Sequence, residues 1–143
     1  MDDLKGKEIE KWIVKSRRDL KAAQVLIANE ELLLDSVVYH CQQSTEKALK
    51  GYLVFQDHEL QKTHDLEVLA NLCATYDSSF SELENEARIL TPYAMQFRYP
   101  GDELEPDIKD AEAAIEMAVV VLEFVSHRLP IELSDSKTGS EEE

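Results

Sequence analysis

This chain of 143 residues has few of the residues that break helices or cross-link a fold: four glycines, four prolines and two cysteines. Two cysteines are too few for a disulfide framework, so Cys41 and Cys73 are expected to be buried, reduced thiols. The chain also lacks an apolar run of the roughly 20 residues that a membrane-spanning helix needs, and its first residues lack the apolar stretch of a secretion signal. We therefore expect a single cytoplasmic domain with no membrane segment.

Basic residues are scarce as well, with 15 Lys and Arg against 30 Asp and Glu and a net charge of −15. Nonspecific binding to a phosphate backbone depends on clustered Lys and Arg, so this balance argues against a generic DNA-binding protein. The first 21 residues are the exception, since seven of them are basic and five acidic. They form either the solvated face of a first helix or a local basic strip.

Apolar residues recur at helical spacing along most of the chain, and no segment alternates as a half-buried strand does. The pattern predicts a first helix over about residues 8–29 and a central second helix over about residues 36–56, which Asp35 or Ser36 can cap. A third helix follows, and Thr63 or Asp65 can cap it.

Prolines and caps divide the second half of the chain. Ser81 and Glu84 match a capping box for a fourth helix, which Pro92 is expected to kink or break. Pro106 opens a last helix that ends before Pro130. The predicted fold class is all-α, an antiparallel up-down bundle of four to five helices over residues 1–133, with an acidic, disordered tail at residues 134–143.

Three polar segments are not what core packing requires: Gln42-Gln43-Ser44-Thr45-Glu46-Lys47-Ala48-Leu49-Lys50, Lys62-Thr63-His64-Asp65-Leu66 and Arg98-Tyr99-Pro100-Gly101. Their order and spacing resemble the HEPN domain family (higher eukaryotes and prokaryotes nucleotide-binding). The resemblance extends from about Ile9 to Pro130. It implies a helical bundle associated with nucleotides or RNA.

The second helix carries a polar stripe made of Gln43, Glu46, Lys47 and Lys50, which are three and four residues apart. Spacing alone predicts an exposed or interface stripe with an ordinary Glu46–Lys50 pair. The family resemblance instead implies that the stripe binds a ligand or orders a neighbouring loop.

The two later segments add candidates for ligand binding. His64 lies at a predicted helix start, where it either caps the helix or joins Lys62 in presenting charge and free amides to a phosphate. Arg98, next to Tyr99, either grips a phosphate or carboxylate or ties its loop to Glu46 or another acid. The full set of predicted ligand-binding residues is Gln43, Glu46, Lys47, Lys50, Lys62, His64, Arg98 and Tyr99.

Catalysis depends on a motif that the sequence lacks. HEPN ribonucleases typically carry an Arg followed, after four to six residues, by a His, and no Arg in this chain is followed in that way. The resemblance therefore implies the noncatalytic branch, often encoded beside a minimal nucleotidyltransferase with which it pairs in a toxin–antitoxin-like system. Two alternatives stay open: a divergent ribonuclease with a composite His64 and Arg98 site at a dimer interface, and a structural helical adaptor that binds protein through the second-helix stripe.

A homodimer is expected, because HEPN domains commonly pair and because Trp12, Tyr52 and Phe97 are hard to assign to one core. No metal, cofactor or catalytic residue is expected. No His follows a Glu at the spacing of a di-iron motif, the acidic turn at residues 102–107 does not match a calcium loop, and there is no Gly-rich phosphate loop.

Overall fold

The computed structural model describes residues 3–101 and 105–130, and every regular element in that part of the chain is a helix. The five α-helices are α1 Asp3–Ile27, α2 Leu34–Phe55, α3 Leu66–Ala74, α4 Glu84–Leu90 and α5 Ile108–Ser126. Two short 3-10 helices, Ser78–Leu83 and Thr91–Ala94, flank α4. The predicted all-α bundle is confirmed. Among the described residues, no helix is both long and apolar enough to cross a membrane.

Helix α2 lies at the centre and packs against α1 along its length. Ser16 Oγ donates to the backbone oxygen of Ser44 at 2.7 Å, and one turn earlier on α1 Trp12 lies beside Gly51. Residue numbers therefore rise on α2 as they fall on α1, so the two helices are antiparallel. A Cβ atom on Gly51 would lie 3.2 Å from both Trp12 Cβ and Ile13 Cδ1, so this glycine permits the close approach.

Helices α3 and α5 complete the core around a set of aromatic rings. Phe80 is fully buried, with its ring centroid 4.5 Å from that of Tyr52 and 4.9 Å from that of Phe124. Phe97 also packs against the core, whereas Trp12 stays half-buried at the surface. Tyr52 and Phe97 are thus accounted for within one chain, whereas Trp12 is not, so of these three residues only Trp12 still supports the expectation of a dimer.

The predicted starts of α3 and the last helix agree well with the structure. Asp65 caps α3 by accepting from the amides of Glu67 and Val68. At α5, Asp107 and Asp110 form a reciprocal capping box directly after Pro106. Both carboxylates satisfy amides that a first helical turn leaves without partners.

Two predicted caps are wrong. Ser81 lies inside the 3-10 helix that Asp77 caps, and α4 begins at Glu84 without a side-chain cap. Likewise α2 begins at Leu34, so Asp35 and Ser36 fall within its first turn. Helix α4 continues directly from the 3-10 helix, which already supplies its backbone geometry.

The predicted break near Pro92 is confirmed, since α4 ends at Leu90 and a 3-10 turn that includes the proline begins at Thr91. Cys41 and Cys73 are buried and free, as expected, and burial raises the pKa of each thiol to about 12. The predicted tail at residues 134–143 lies outside the described residues.

Candidate functional site

Helix α2 carries a row of buried polar side chains along one face. Gln42, Glu46 and Lys50 follow one another at four-residue intervals, and their exposed fractions are 0%, 5% and 8%. The expectation of an exposed stripe is therefore wrong for Glu46 and Lys50. Buried polar groups need partners, because each unsatisfied one destabilises the fold, and the loop that precedes α3 supplies partners for Gln42 and Glu46.

The carboxylate of Glu46 is the hub of this row. Its Oε2 accepts from Lys50 Nζ at 2.8 Å, and its Oε1 accepts from His64 Nδ1 at 2.9 Å and from Gln42 Nε2 at 3.3 Å. Gln42 Nε2 also donates to the backbone oxygen of His64 at 2.9 Å. His64 thus ties this loop to α2 in two ways, since its ring bonds Glu46 and its backbone oxygen accepts from Gln42.

These contacts determine the ionisation of Glu46 and the tautomer of His64. Burial alone would raise the pKa of Glu46, but hydrogen bonds and charge from Lys50 and His64 outweigh burial, so its pKa lies below the ordinary value. An ionised carboxylate only accepts hydrogen bonds, so Nδ1 of His64 must carry a hydrogen. The side chain of His64 is 63% exposed, which leaves Nε2 as the ring nitrogen available to a ligand.

A threonine links the His64 loop to the segment that carries Arg98. Thr91 Oγ1 accepts from the amide of Leu66 at 3.0 Å and donates to the backbone oxygen of Ala87 at 2.6 Å. Thr91 begins the 3-10 turn that leads towards Arg98. The first residue of α3 and the approach to Arg98 are therefore held together.

Arg98 contacts α2 by stacking on an aromatic ring of that helix. Its guanidinium carbon is 3.9 Å from the centroid of the Tyr39 ring, a cation–π contact. The preceding residue, Phe97, has a φ of 71°, a left-handed conformation that costs a bulky residue free energy. Because the backbone turns there, Phe97 packs against the core while Arg98 lies over Tyr39. Of the two alternatives for Arg98, the tie to Glu46 is not observed among the described residues, where Arg98 stacks on Tyr39 instead.

A cavity of about 260 Å³ opens between α2, the His64 loop and the Arg98 segment. Its lining consists of Tyr39, Gln43, His64, Ala94, Met95, Arg98 and Tyr99. Four of the predicted ligand-binding residues, Gln43, His64, Arg98 and Tyr99, are therefore brought together. The described lining contains two aromatic rings, an amide, a guanidinium and an imidazole, and no acid.

The other four predicted residues do not line this cavity. Glu46 lies behind His64 and positions it, while Lys50 is buried against Glu46. Lys47 faces α1, where its Nζ lies 2.6 Å from Asp19 Oδ2. Lys62 is exposed on the loop before His64.

Sequence reasoning missed Tyr39 and Gln42 as site residues. The signal for Gln42 was its four-residue spacing to Glu46 and Lys50, which places all three on one helix face. Tyr39 precedes Gln43 by one turn in the same way. Within residues 3–101 and 105–130, no group of three His, Cys, Asp or Glu residues is placed to hold a metal ion.

Comparison with known proteins places these features in a family. A family profile described as "HEPN domain" matches residues 9–128. The crystal structure of TT1696 from Thermus thermophilus is similar, with a TM-score of 0.69 and 23% identity, over 85% of this chain and 98% of that one. The crystal structure of ST0689, an archaeal HEPN homologue, is also similar, with a TM-score of 0.66 and 25% identity, over 84% of this chain and 96% of that one. No curated protein matches this sequence.

Proposed function

The chain belongs to the HEPN domain family, and we propose that it is a noncatalytic binding module whose ligand is a nucleotide or a short stretch of RNA. The observation that carries this proposal is the cavity in which Gln43, His64, Arg98 and Tyr99 meet. Three separate segments of the chain contribute these four side chains. They offer the types of group that recognise a phosphate and a planar base.

The cavity suits an anionic, partly aromatic ligand. Arg98 lies over Tyr39 and still has several N–H donors for a phosphate, since a guanidinium carries five. Nε2 of His64 supplies another contact, and Tyr39 or Tyr99 offers a face on which a base can stack. Charge-assisted hydrogen bonds of this kind contribute about 1.5–3 kcal/mol each.

The surrounding hydrogen bonds hold the site in place before a ligand arrives. Glu46, Gln42 and Lys50 lie behind His64 and fix its ring and backbone. A side chain that is already fixed loses less conformational entropy on binding. The buried row of α2 therefore acts as the support of the site and makes no ligand contact of its own.

The noncatalytic role, the homodimer and the protein partner are proposed from the family resemblance and from the sequence. Each Arg lacks a His at the spacing of the family's ribonuclease motif, which supports a noncatalytic role. The resemblance also supports a cytoplasmic homodimer and a partner of the minimal nucleotidyltransferase type, in a toxin–antitoxin-like pair.

Titration of the purified protein with ATP, GTP and a short single-stranded RNA tests the binding proposal. Arg98→Ala and His64→Ala should each weaken binding at least about tenfold, the loss expected of one charge-assisted contact. Arg88→Ala is the matched control, because Arg88 is exposed on α4 and bonds Asn85 outside the cavity. Unchanged helical circular dichroism must accompany each result. Absence of binding to all three ligands, or equal binding by all variants, contradicts the proposal.

One observation favours a second candidate, a divergent ribonuclease. His64 pairs with the buried carboxylate of Glu46, as an acid/base histidine pairs with its orienting acid, and Arg98 lines the same cavity. Both groups come from one chain, so this site needs no dimer interface. General acid–base catalysis contributes about 10²–10⁴-fold to a rate. RNA cleavage by the wild type that is lost in both His64→Ala and Arg98→Ala would replace the noncatalytic proposal.

A further inference from the structure

A second concave surface runs along α1 and shares no lining residue with the cavity described above. This groove has a volume of about 540 Å³, and its lining consists of Leu4, Lys7, Glu8, Lys11, Trp12, Lys15 and Lys47. Lys7, Lys11 and Lys15 are one helical turn apart, so their side chains recur about every 6 Å along the groove. We call this surface the α1 groove.

The close packing of α1 on α2 shapes the groove. Gly51 allows α2 to approach the backbone of Trp12, and Lys47 of α2 contributes to the lining next to it. Asp19 fixes Lys47 through a 2.6 Å ion pair, with the carboxylate side chain only 12% exposed. The three lysines that α1 contributes to the lining are all exposed.

The chemistry of the α1 groove differs from that of the rest of the molecule. It combines four lysines with one glutamate, in a chain whose net charge is −15. Leu4 is 79% exposed and Trp12 is half-buried, and these two apolar side chains lie one turn on either side of Glu8. The aliphatic stems of the neighbouring lysines join them into an apolar surface beside the charges. Such a surface is complementary to an apolar stripe flanked by acids.

We propose that the α1 groove binds an acidic amphipathic helix of a partner protein. The apolar face of that helix lies on Trp12 and Leu4, and carboxylates spaced one turn apart lie opposite Lys7, Lys11 and Lys15. Helix-in-groove recognition of this kind uses anchors at four-residue intervals, which is the interval of the three lysines. This surface is separate from the nucleotide cavity and goes beyond the function proposed for it.

Charge and shape favour a helix over RNA as the occupant. RNA binding draws much of its free energy from phosphate charge, which Glu8 in the groove and the net charge of the chain oppose. A single-stranded site also uses aromatic rings for successive bases, and the groove offers one. A partner helix gains in addition from burial of Trp12 and Leu4, a contribution that does not depend on net charge.

The sole tryptophan of the chain lies in the groove, so its fluorescence reports binding at this place. The probe is a synthetic helical peptide with leucines on one face and glutamates one turn apart beside them. A scrambled peptide of the same composition, which has no apolar face, serves as its control. The helical peptide should shift the Trp12 emission at micromolar concentration, and added salt should weaken its binding because exposed charge pairs are screened.

Substitutions test whether the lysines of the groove contribute to peptide binding. The triple variant Lys7→Glu, Lys11→Glu and Lys15→Glu should weaken peptide binding at least about tenfold, since each reversal turns an attraction into a repulsion. The matched control is Arg18→Glu with Lys21→Glu and Lys109→Glu, because all three residues are exposed, lie outside the groove and change the net charge by the same amount. That control should bind the peptide as the wild type does, and circular dichroism should show that all variants keep their helices.

Four results overturn the proposal. The helical peptide leaves the emission of Trp12 unchanged; the scrambled peptide binds equally well; the triple variant binds like the control; or single-stranded oligouridine binds the groove more tightly than the peptide. A fifth result would also overturn the proposal, by assigning the groove to a contact between copies of this chain. In that case sedimentation without peptide shows a dimer for the wild type and the control variant, and a monomer for the triple variant.

Discussion

The ammonium of Lys50 lies 2.8 Å from Glu46 Oε2, and the two side chains are only 10% and 7% exposed. Two charges therefore lie inside the bundle, one turn apart on α2. Transfer of such a pair from water is costly unless further hydrogen bonds satisfy it, and here Gln42 and His64 bind the remaining oxygen of Glu46. The ion pair by itself contributes little to the stability of the fold. It does fix the Glu46 carboxylate, which orients His64 at the cavity.

Removal of the Glu46 carboxylate should destabilise the fold more than removal of the Lys50 ammonium. Glu46→Gln leaves the Lys50 ammonium buried without a counter-charge, which typically costs about 3–5 kcal/mol. Lys50→Met should cost less, because His64 and Gln42 still donate to Glu46. Glu46→Gln combined with Lys50→Met should be more stable than Glu46→Gln alone. Urea unfolding of the three variants measures these differences, and equal stability of Glu46→Gln and the wild type would contradict the burial of the pair.

Stability should also depend on pH through Glu46. Its folded-state pKa is lowered from 4.5, so the unfolded chain takes up the proton first as pH falls. The stabilisation from Glu46 is present at pH values above its ordinary pKa. It is lost as pH falls through the lower pKa of the folded state. Hydrogen bonds from Ser79 also lower the pKa of Asp77, so this carboxylate makes stability depend on pH in the same direction. The loss should be smaller in Glu46→Gln than in the wild type, and acid unfolding curves that run parallel would refute this role of Glu46.

Hydrophobic periodicity made the helices predictable, because each one places an apolar stripe on the core at intervals of three and four residues. The same reasoning failed for Glu46 and Lys50. On a helical wheel they lie with Gln43 and Lys47 on a polar face, and such a face is usually solvated. The loop before α3 folds back onto Glu46 through His64, and Lys50 pairs with that buried carboxylate. A contact between residues 18 positions apart leaves no trace in local spacing.

The position of Arg98 was equally beyond sequence reasoning. The Arg-Tyr-Pro-Gly segment indicated a turn, but the stacking of Arg98 on Tyr39 depends on the left-handed backbone at Phe97. A phenylalanine gives no local signal for that conformation, because few bulky residues adopt it. Tertiary packing of the Phe97 ring holds it there. The members of the site were thus largely predictable, while their mutual geometry was not.

Both cysteines should resist modification in the native protein. Cys41 and Cys73 are fully buried, and burial raises the pKa of each thiol to about 12, so almost no reactive thiolate is present at neutral pH. Ellman's reagent should label them only at the rate of unfolding, and two equivalents should react at once in urea. Rapid labelling of either thiol in native buffer would show that the core is open.

The contact of Gly51 with α1 should not tolerate a branched side chain. A Cβ atom there already lies 3.2 Å from Trp12 and Ile13, so Gly51→Val forces α1 and α2 apart. Overpacking of this kind costs about 1–3 kcal/mol. Gly51→Ala is the matched comparison, since its gain in helix propensity of about 1 kcal/mol opposes the crowding. Urea unfolding should rank Gly51→Val clearly below both Gly51→Ala and the wild type; equal midpoints would mean that the helices separate at no cost.

The chain should form a homodimer at micromolar concentration. This expectation comes from the family resemblance. Val25 near the end of α1 and Leu32 and Leu33 just before α2 are 54%, 50% and 43% exposed, and we propose them as the contact surface, since patches of exposed apolar side chains are typical of protein contacts. Sedimentation should show twice the 16.3 kDa chain mass, and Leu32→Glu with Leu33→Glu should shift the protein towards the monomer, whereas Val68→Glu, on α3 and 43% exposed, should not. A single species of 16.3 kDa would rule out the dimer, and a dimer that both variants retain would place the interface on another surface.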